Sequence, residues 1–357
     1  MPYRYPLFWV ASCLAVLGCS LTSEQSSDAA PLPVYREELG PYYGGRTRAI
    51  SLVYPLLYLG GGKEDDIRVL DVASPTSPVL LSRIPMKGVT DFEAKGNSLY
   101  VCSNETLAVV DCSNPRLPKI VTKGMSNRNT PTGPRYRNVK MAGDYLCLTD
   151  FGNIYLFDLS NAFAPSMLSK VDVSVRIDHF VAGDGFACVG AGHHTGPYYS
   201  LITWKDPRSP TVIRSCDSGL PVYGWEKRLL LPDKSRPWNL MDMSNPDNPK
   251  LVACMDWLPG RRIKCGSILF ALHSNNQFSA IDLSDEMKPK HITRSTRRPV
   301  RFYPSDMASH AKTLYVEHPD LGLHFYDVSN PAEPVLIYES CPNPLGLKQY
   351  PSSYRQK

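Results

Sequence analysis

The chain lacks the short motifs that mark common catalytic chemistries. It has no G-x-S-x-G elbow, no H-E-x-x-H helix, no P-loop and no dinucleotide-binding glycine fingerprint. Its ten cysteines include no C-x-x-C pair, which removes the usual spacing of a structural zinc site. No helical period is sustained, because turn residues interrupt every 5 to 10 positions. The net charge of +5 is small, and Lys and Arg form no dense stripe or arm of the kind that binds nucleic acid. Beyond the first 20 residues no apolar run is long enough to span a bilayer.

What is present begins with export. "MPYRYPLFWVASCLAVLGCS" has one early charge, Arg4, then an apolar stretch from Leu7 to Leu17 and small residues before Cys19. That is the pattern of a secretory signal. "VLGC" at Val16 to Cys19 resembles the bacterial lipobox, which implies lipidation of Cys19 and a mature chain starting there. The other reading is an ordinary cleaved signal. Ser20 after the Cys resembles the class sorted to the outer membrane, in a host that has one. Residues 1–18 are therefore expected to be a signal peptide. Residues 19–45, rich in Ser, Pro and Gly, are expected to be a flexible tether, and 342–357 a C-terminal tail.

Residues 46–341 carry a repeat. "VLDVASPTSPVLLSRI", "VVDCSNPRLPKIVTKG", "LFDLSNAFAPSMLSKV", "LMDMSNPDNPKLVACMD", "AIDLSDEMKPKHITRS" and "FYDVSNPAEPVLIYES" align on Asp71, Asp111, Asp158, Asp242, Asp282 and Asp327. A seventh copy, "LITWKDPRSPTVIRSC", has Thr203 at the Asp position. The steps run from 39 to 47 residues, the period of propeller blades. Blade two reads as four strands: "DFEAKGN", "SLYVCS", "TLAVVDC" and "PKIVTKG". The third is apolar at successive positions, as a strand covered on both faces must be. The Asp carboxylates are expected to accept backbone N–H bonds in an Asx-type turn, with the prolines stiffening the connection. The predicted fold is all-β: a seven-bladed β-propeller of four-stranded antiparallel blades. The ring closes by face packing between blades one and seven, unless an N-terminal strand completes blade seven.

These residues also carry a resemblance. "LAVVDCSNPRLP", "FYDVSNPAEPVLI" and "LMDMSNPDNPKLV" are similar to the LVIVD repeat of exported bacterial β-propeller proteins. The resemblance covers roughly Arg46 to Ser340. It implies a seven-bladed propeller at the periplasm or cell surface, and it implies no common activity or catalytic set.

Sequence variation gathers in the connections between blades and in those between the second and third strands, which share one rim. There Arg128, Arg135, Arg137, Arg236, Arg261, Arg262, Arg297, Arg298 and Arg301 interleave with Tyr136, Tyr198, Tyr199, Trp238 and Tyr303. Arg offers planar donors to carboxylate or phosphate, and aromatic faces stack on sugars or cations. The rim is the expected binding face for a protein or anionic glycan, against the plainer reading of solvated loop charge. His193 and His194 are adjacent but have no third ligand placed by the sequence, so no metal and no cofactor is expected. Cys147 and Cys188 fall inside apolar strands and are expected to pack as small hydrophobes. Cys216 and Cys254, in neighbouring repeats, are a candidate disulfide. The function expected is a non-catalytic binding or scaffolding module, lipid-anchored at the cell envelope. The alternative is a propeller hydrolase or lyase acting on extracellular polymers, with catalytic groups from scattered blades. Glu93, Lys140, His179, Trp225, Lys264 and Asp306 are the inner-strand positions that would line its channel.

Overall fold

A computed structural model describes residues 49–60, 66–103, 106–125, 136–173, 177, 179–190, 199–216, 223–232, 238–255, 261–272, 278–293, 306–318 and 322–340. They form 28 strands and, among the described residues, no helix. Blade one is β1 (Ala49–Val53), β2 (Leu56–Gly60), β3 (Asp66–Asp71) and β4 (Val79–Pro85). Blade two is β5 (Val89–Lys95), β6 (Ser98–Ser103), β7 (Thr106–Asp111) and β8 (Lys119–Met125). Blade three is β9 (Asn138–Ala142), β10 (Tyr145–Thr149), β11 (Asn153–Asp158) and β12 (Ser166–Asp172). Blade four is β13 (His179–Gly183), β14 (Phe186–Gly190), β15 (Tyr199–Thr203) and β16 (Thr211–Cys216). Blade five is β17 (Tyr223–Trp225), β18 (Arg228–Pro232), β19 (Trp238–Asp242) and β20 (Lys250–Met255). Blade six is β21 (Arg261–Cys265), β22 (Ile268–Leu272), β23 (Phe278–Asp282) and β24 (Lys290–Thr293). Blade seven is β25 (Asp306–His310), β26 (Thr313–His318), β27 (Gly322–Asp327) and β28 (Val335–Glu339).

Every blade pairs its strands in sequence order, antiparallel throughout. The first strands of successive blades neighbour one another round the ring, and β25 neighbours β1. Blades one and seven are each complete from their own stretch of chain, so the ring closes by packing rather than by a shared blade.

Seven hydrophobic clusters occupy the seven seams, one in each. This explains the unbroken apolar third strands. Val69 points into the seam with blade two and Leu70 into the seam with blade seven, and both are fully buried. Each such side chain contributes about 1.5–3 kcal/mol of transfer free energy. Cys147 and Cys188 sit buried in these seams, packed as small hydrophobes. Cys254 is exposed and free, so the candidate bridge to Cys216 is not formed.

The outer strand of every blade carries a bulge at the same place. Leu81, Val121, Leu168, Ile213, Val252, Ile292 and Ile337 are skipped in the pairing with the third strand. All seven are aliphatic. The extra residue lets one strand serve two seams: Leu336 packs toward blade six, and the bulged Ile337 toward blade one. A bulge also twists an edge strand away from pairing with another chain.

Candidate functional site

The turns after the third strands behave as the Asp pattern predicts. Asp71, Asp111, Asp158, Asp242, Asp282 and Asp327 each accept the N–H of the residue two ahead, at 2.8–3.0 Å. All seven turns, blade four included, close with an N–H to C=O bond three residues apart, such as Leu117 to Asn114 and Ser209 to Asp206. Hydrogen bonds from the side chain and backbone of Ser113 and Ser329 hold the carboxyl pKa of Asp111 and Asp327 below the ordinary value. In six blades the residue after the Asp position also donates to the carbonyl of the blade's first hairpin, as Cys112 does to Asn97. First hairpins and third turns therefore share a rim whose polar groups satisfy one another. A cleft of about 560 Å³ between blades two and three lies on this rim. Its wall charges are already engaged: Lys95 with Asp144 at 3.2 Å, and Asp158 with Ser160.

The innermost strands present a different problem. Their free edge leaves backbone N–H groups facing the axis, and an N–H without an acceptor is costly. Side chains from neighbouring blades supply the acceptors. Ser51 Oγ accepts from Ala94 N (2.9 Å), Asp91 from Val139 N (3.0 Å), Tyr223 OH from Lys264 N (2.9 Å) and Asp306 from Ile50 N (3.1 Å). Asp91 and Asp306 also accept from the N–H groups of Phe92 and Met307. Lys140 joins the group, 3.4 Å from Glu93 and 3.7 Å from Asp91, while Glu93 accepts from Ser51. Burial raises the carboxyl pKa of Asp91 and Glu93, with Lys140 pulling the other way. Burial also disfavours the Lys140 ammonium, but the Asp91, Glu93 and Asp306 carboxylates outweigh it and hold the group charged.

Of the expected channel positions, Glu93, Lys140 and Asp306 thus come together, and Asp91 joins them unforeseen. Each carboxylate oxygen of the three acids has a donor that ties one blade to another or fixes its own strand. Trp225 instead packs in the core between blades five and six, and His179 is exposed. Among the described residues no His, Cys, Asp or Glu group is arranged to hold a metal.

On the loop rim, three expected ligand-facing aromatics are core residues. Tyr136 lies in the seam between blades two and three, edge-on to Tyr155 at 5.2 Å. Tyr199 lies between blades four and five, and Trp238 between five and six. All three are at most 5% exposed, which corrects their assignment to an open platform. They stand at or just before strand ends, where a large ring closes the end of a seam. Arg128, Arg135, Tyr198, Arg236, Arg297, Arg298 and Arg301 lie outside the described residues, as do Cys19, His193 and His194.

Among the described residues, two guanidinium–aromatic stacks remain on this rim. Arg262 sits over the Trp238 ring at 3.9 Å, and Arg137 over the Phe151 ring at 4.5 Å. Burial, and the neighbouring Arg261 cation, lower the pKa of the Arg262 guanidinium. Phe151 was not among the sequence candidates; its position at the tip of a short hairpin of the variable rim was the available signal.

Comparisons with known proteins agree with this architecture. The LVIVD repeat matches residues 88–123, 135–173 and 314–340, which fall in blades two, three and seven. No curated protein matches the chain. Among solved structures, the computationally designed protein Ika8 is 10% identical with a TM-score of 0.56, covering 86% of this chain and 92% of its own. A Lactobacillus plantarum protein is 11% identical with a TM-score of 0.53, over 71% of this chain and 85% of its own. Sqt1 from Chaetomium thermophilum is 10% identical with a TM-score of 0.52, over 83% and 87%. At such identities the likeness speaks for the fold alone. The chain is a seven-bladed β-propeller in which blades two, three and seven match the LVIVD repeat.

Proposed function

We propose that this propeller is a non-catalytic binding or scaffolding module whose loop rim receives a protein or an anionic glycan at the cell envelope. The observation that carries the reading is the guanidinium–aromatic stack of Arg137 on the half-exposed Phe151, on the rim opposite the self-satisfied turns. Arg beside an aromatic is the composition of binding hot spots, and loops on a rigid scaffold are where sites are mounted. The hydrolase or lyase reading would draw on the inner carboxylates. Asp91, Glu93 and Asp306 instead have the contacts of groups that tie the ring together.

The "VLGC" sequence supports export and attachment of the chain to a membrane through Cys19. Mass spectrometry of the mature N-terminus tests this: a diacylated Cys19 supports the anchor, and an unmodified residue downstream contradicts it. Binding is tested with the full chain against envelope proteins and acidic glycans from its own host. An Arg135→Ala/Arg298→Ala variant that stays folded should lose retention. Unchanged retention would count against the loop rim as the binding face.

A further inference from the structure

Blade three carries an exposed aromatic on an unusually well-fixed hairpin. Between β10 and β11, Asp150 is buried and accepts from Gly152 N (2.8 Å), Asn153 N (2.7 Å) and Asn153 Nδ2 (3.0 Å), with the Tyr155 hydroxyl at 2.6 Å on its other oxygen. The carbonyls of the tip are held as well: Ile177 N donates to Phe151 O (2.9 Å) and Val173 N to Gly152 O (3.0 Å). A hairpin fixed on both sides loses little entropy when a ligand arrives.

At its tip Phe151 is 47% exposed, in a fold that buries most of its large aromatics. Arg137 covers part of the ring, and its backbone is pinned too: N donates to Thr149 O (2.8 Å), and O accepts from Thr90 Oγ1 (2.8 Å). A half-exposed ring with a planar cation over one face is thus presented on a fixed backbone.

The two chemistries select a ligand together. The C–H face of a pyranose ring lies against an aromatic, and a carboxylate takes a guanidinium through paired N–H bonds. A neutral sugar would use only the ring. A carboxylate on a flexible side chain would use only the cation. A sugar with a carboxylate on its own ring carbon uses both at once. We infer that Arg137 and Phe151 form a subsite for a uronate residue of an acidic polysaccharide. This rests on the reading of the loop rim as the binding face and names the ligand class for one part of it.

The test is binding of the full chain to oligogalacturonate, to its carboxyl-reduced neutral form and to poly-glutamate. The variants are Phe151→Ala, Arg137→Ala and Arg135→Ala/Arg298→Ala. The inference expects oligogalacturonate to bind, and carboxyl reduction, Phe151→Ala and Arg137→Ala each to weaken binding roughly tenfold. Unaltered thermal unfolding of the two single variants shows that the fold is intact. Full binding by both, with loss in the Arg135/Arg298 variant, overturns the subsite while leaving the loop rim as the binding face. Binding of poly-glutamate but not oligogalacturonate overturns the glycan in favour of an acidic peptide. Retention of none of the acidic probes overturns the subsite, and the host envelope proteins then decide the wider reading.

Discussion

The seam between blades two and three and the seam between blades four and five solve one problem in two ways. In the first, side chains reach across: Asp91 takes the Val139 N–H, Lys140 meets Glu93, and Thr122 Oγ1 donates to the Phe163 carbonyl at 2.8 Å on the outer side. In the second, backbones approach directly: Asp184 N donates to Glu226 O at 2.9 Å, and Gly183 leaves room for it. A Cβ on Gly183 would stand 2.4 Å from Glu226 O and 2.5 Å from the Phe186 ring. Blade four is also the copy whose turn Asp has become Thr203, which donates instead to Asp247 of blade five. A seam can drift from the repeat, then, provided every inner N–H still finds an acceptor and every face a cover.

The largest effect should come from closing the backbone approach. Gly183→Ala is expected to cost about 3 kcal/mol through overpacking. Gly96→Ala, with φ at +55° but open space around it, should cost only about 1 kcal/mol. Denaturant midpoints compare the two, and equal losses would remove the contrast between strain and contact. Next comes the stapled seam. Asp91→Ala leaves the Val139 N–H without its acceptor and Lys140 short of a counter-charge, for an expected loss of about 2 kcal/mol. A neutral result would mean that water replaces the carboxylate and that the staples are incidental.

The seam between blades six and seven should respond to acid. His318 and His324 are each 2% exposed, with ring centroids 4.7 Å apart. Burial, and then the His324 neighbour, pull the His318 pKa down to about 3 from 6.5. The unfolded chain therefore takes up a proton that the folded chain refuses. Stability falls as pH drops below 6.5 toward 3, by up to about 1.4 kcal/mol per pH unit. His318→Leu should flatten that slope; an unchanged slope places the sensitivity elsewhere.

The smallest effect belongs to the exposed turns. Asp327→Ala is expected to lower Tm by roughly 1–2 °C. Because the folded Asp327 pKa lies below its free value, this contribution holds above the free value and is lost as pH falls through the folded one. A variant as damaging as Asp91→Ala would make the turns, not the seams, the source of stability.

Much of this was legible in the sequence because it repeats. The period and the doubly buried third strands recur with each blade and the Asp turns with six of the seven, so β5 to β8 fall where blade two is read. The rest was not legible because it depends on neighbours across a seam. An aliphatic run such as "PVLIYES" does not say that Ile337 is the unpaired residue. Nothing near Asp91 in sequence points to Val139, 48 residues away. Tyr136, Tyr199 and Trp238 lie beside variable loops in the chain, yet their rings close seam ends. Phe151 at a hairpin tip has no repeat partner to mark it.

Native-state hydrogen exchange at the Ile50 amide tests the closure of the ring most directly. This N–H belongs to the first strand of the chain's first blade, and its acceptor, Asp306, to the last blade. Protection comparable to that of Val139, lost selectively at Ile50 in Asp306→Ala, is the expected result. Exchange at Ile50 as fast as at a fraying terminus in the unaltered chain would mean that blades one and seven do not meet.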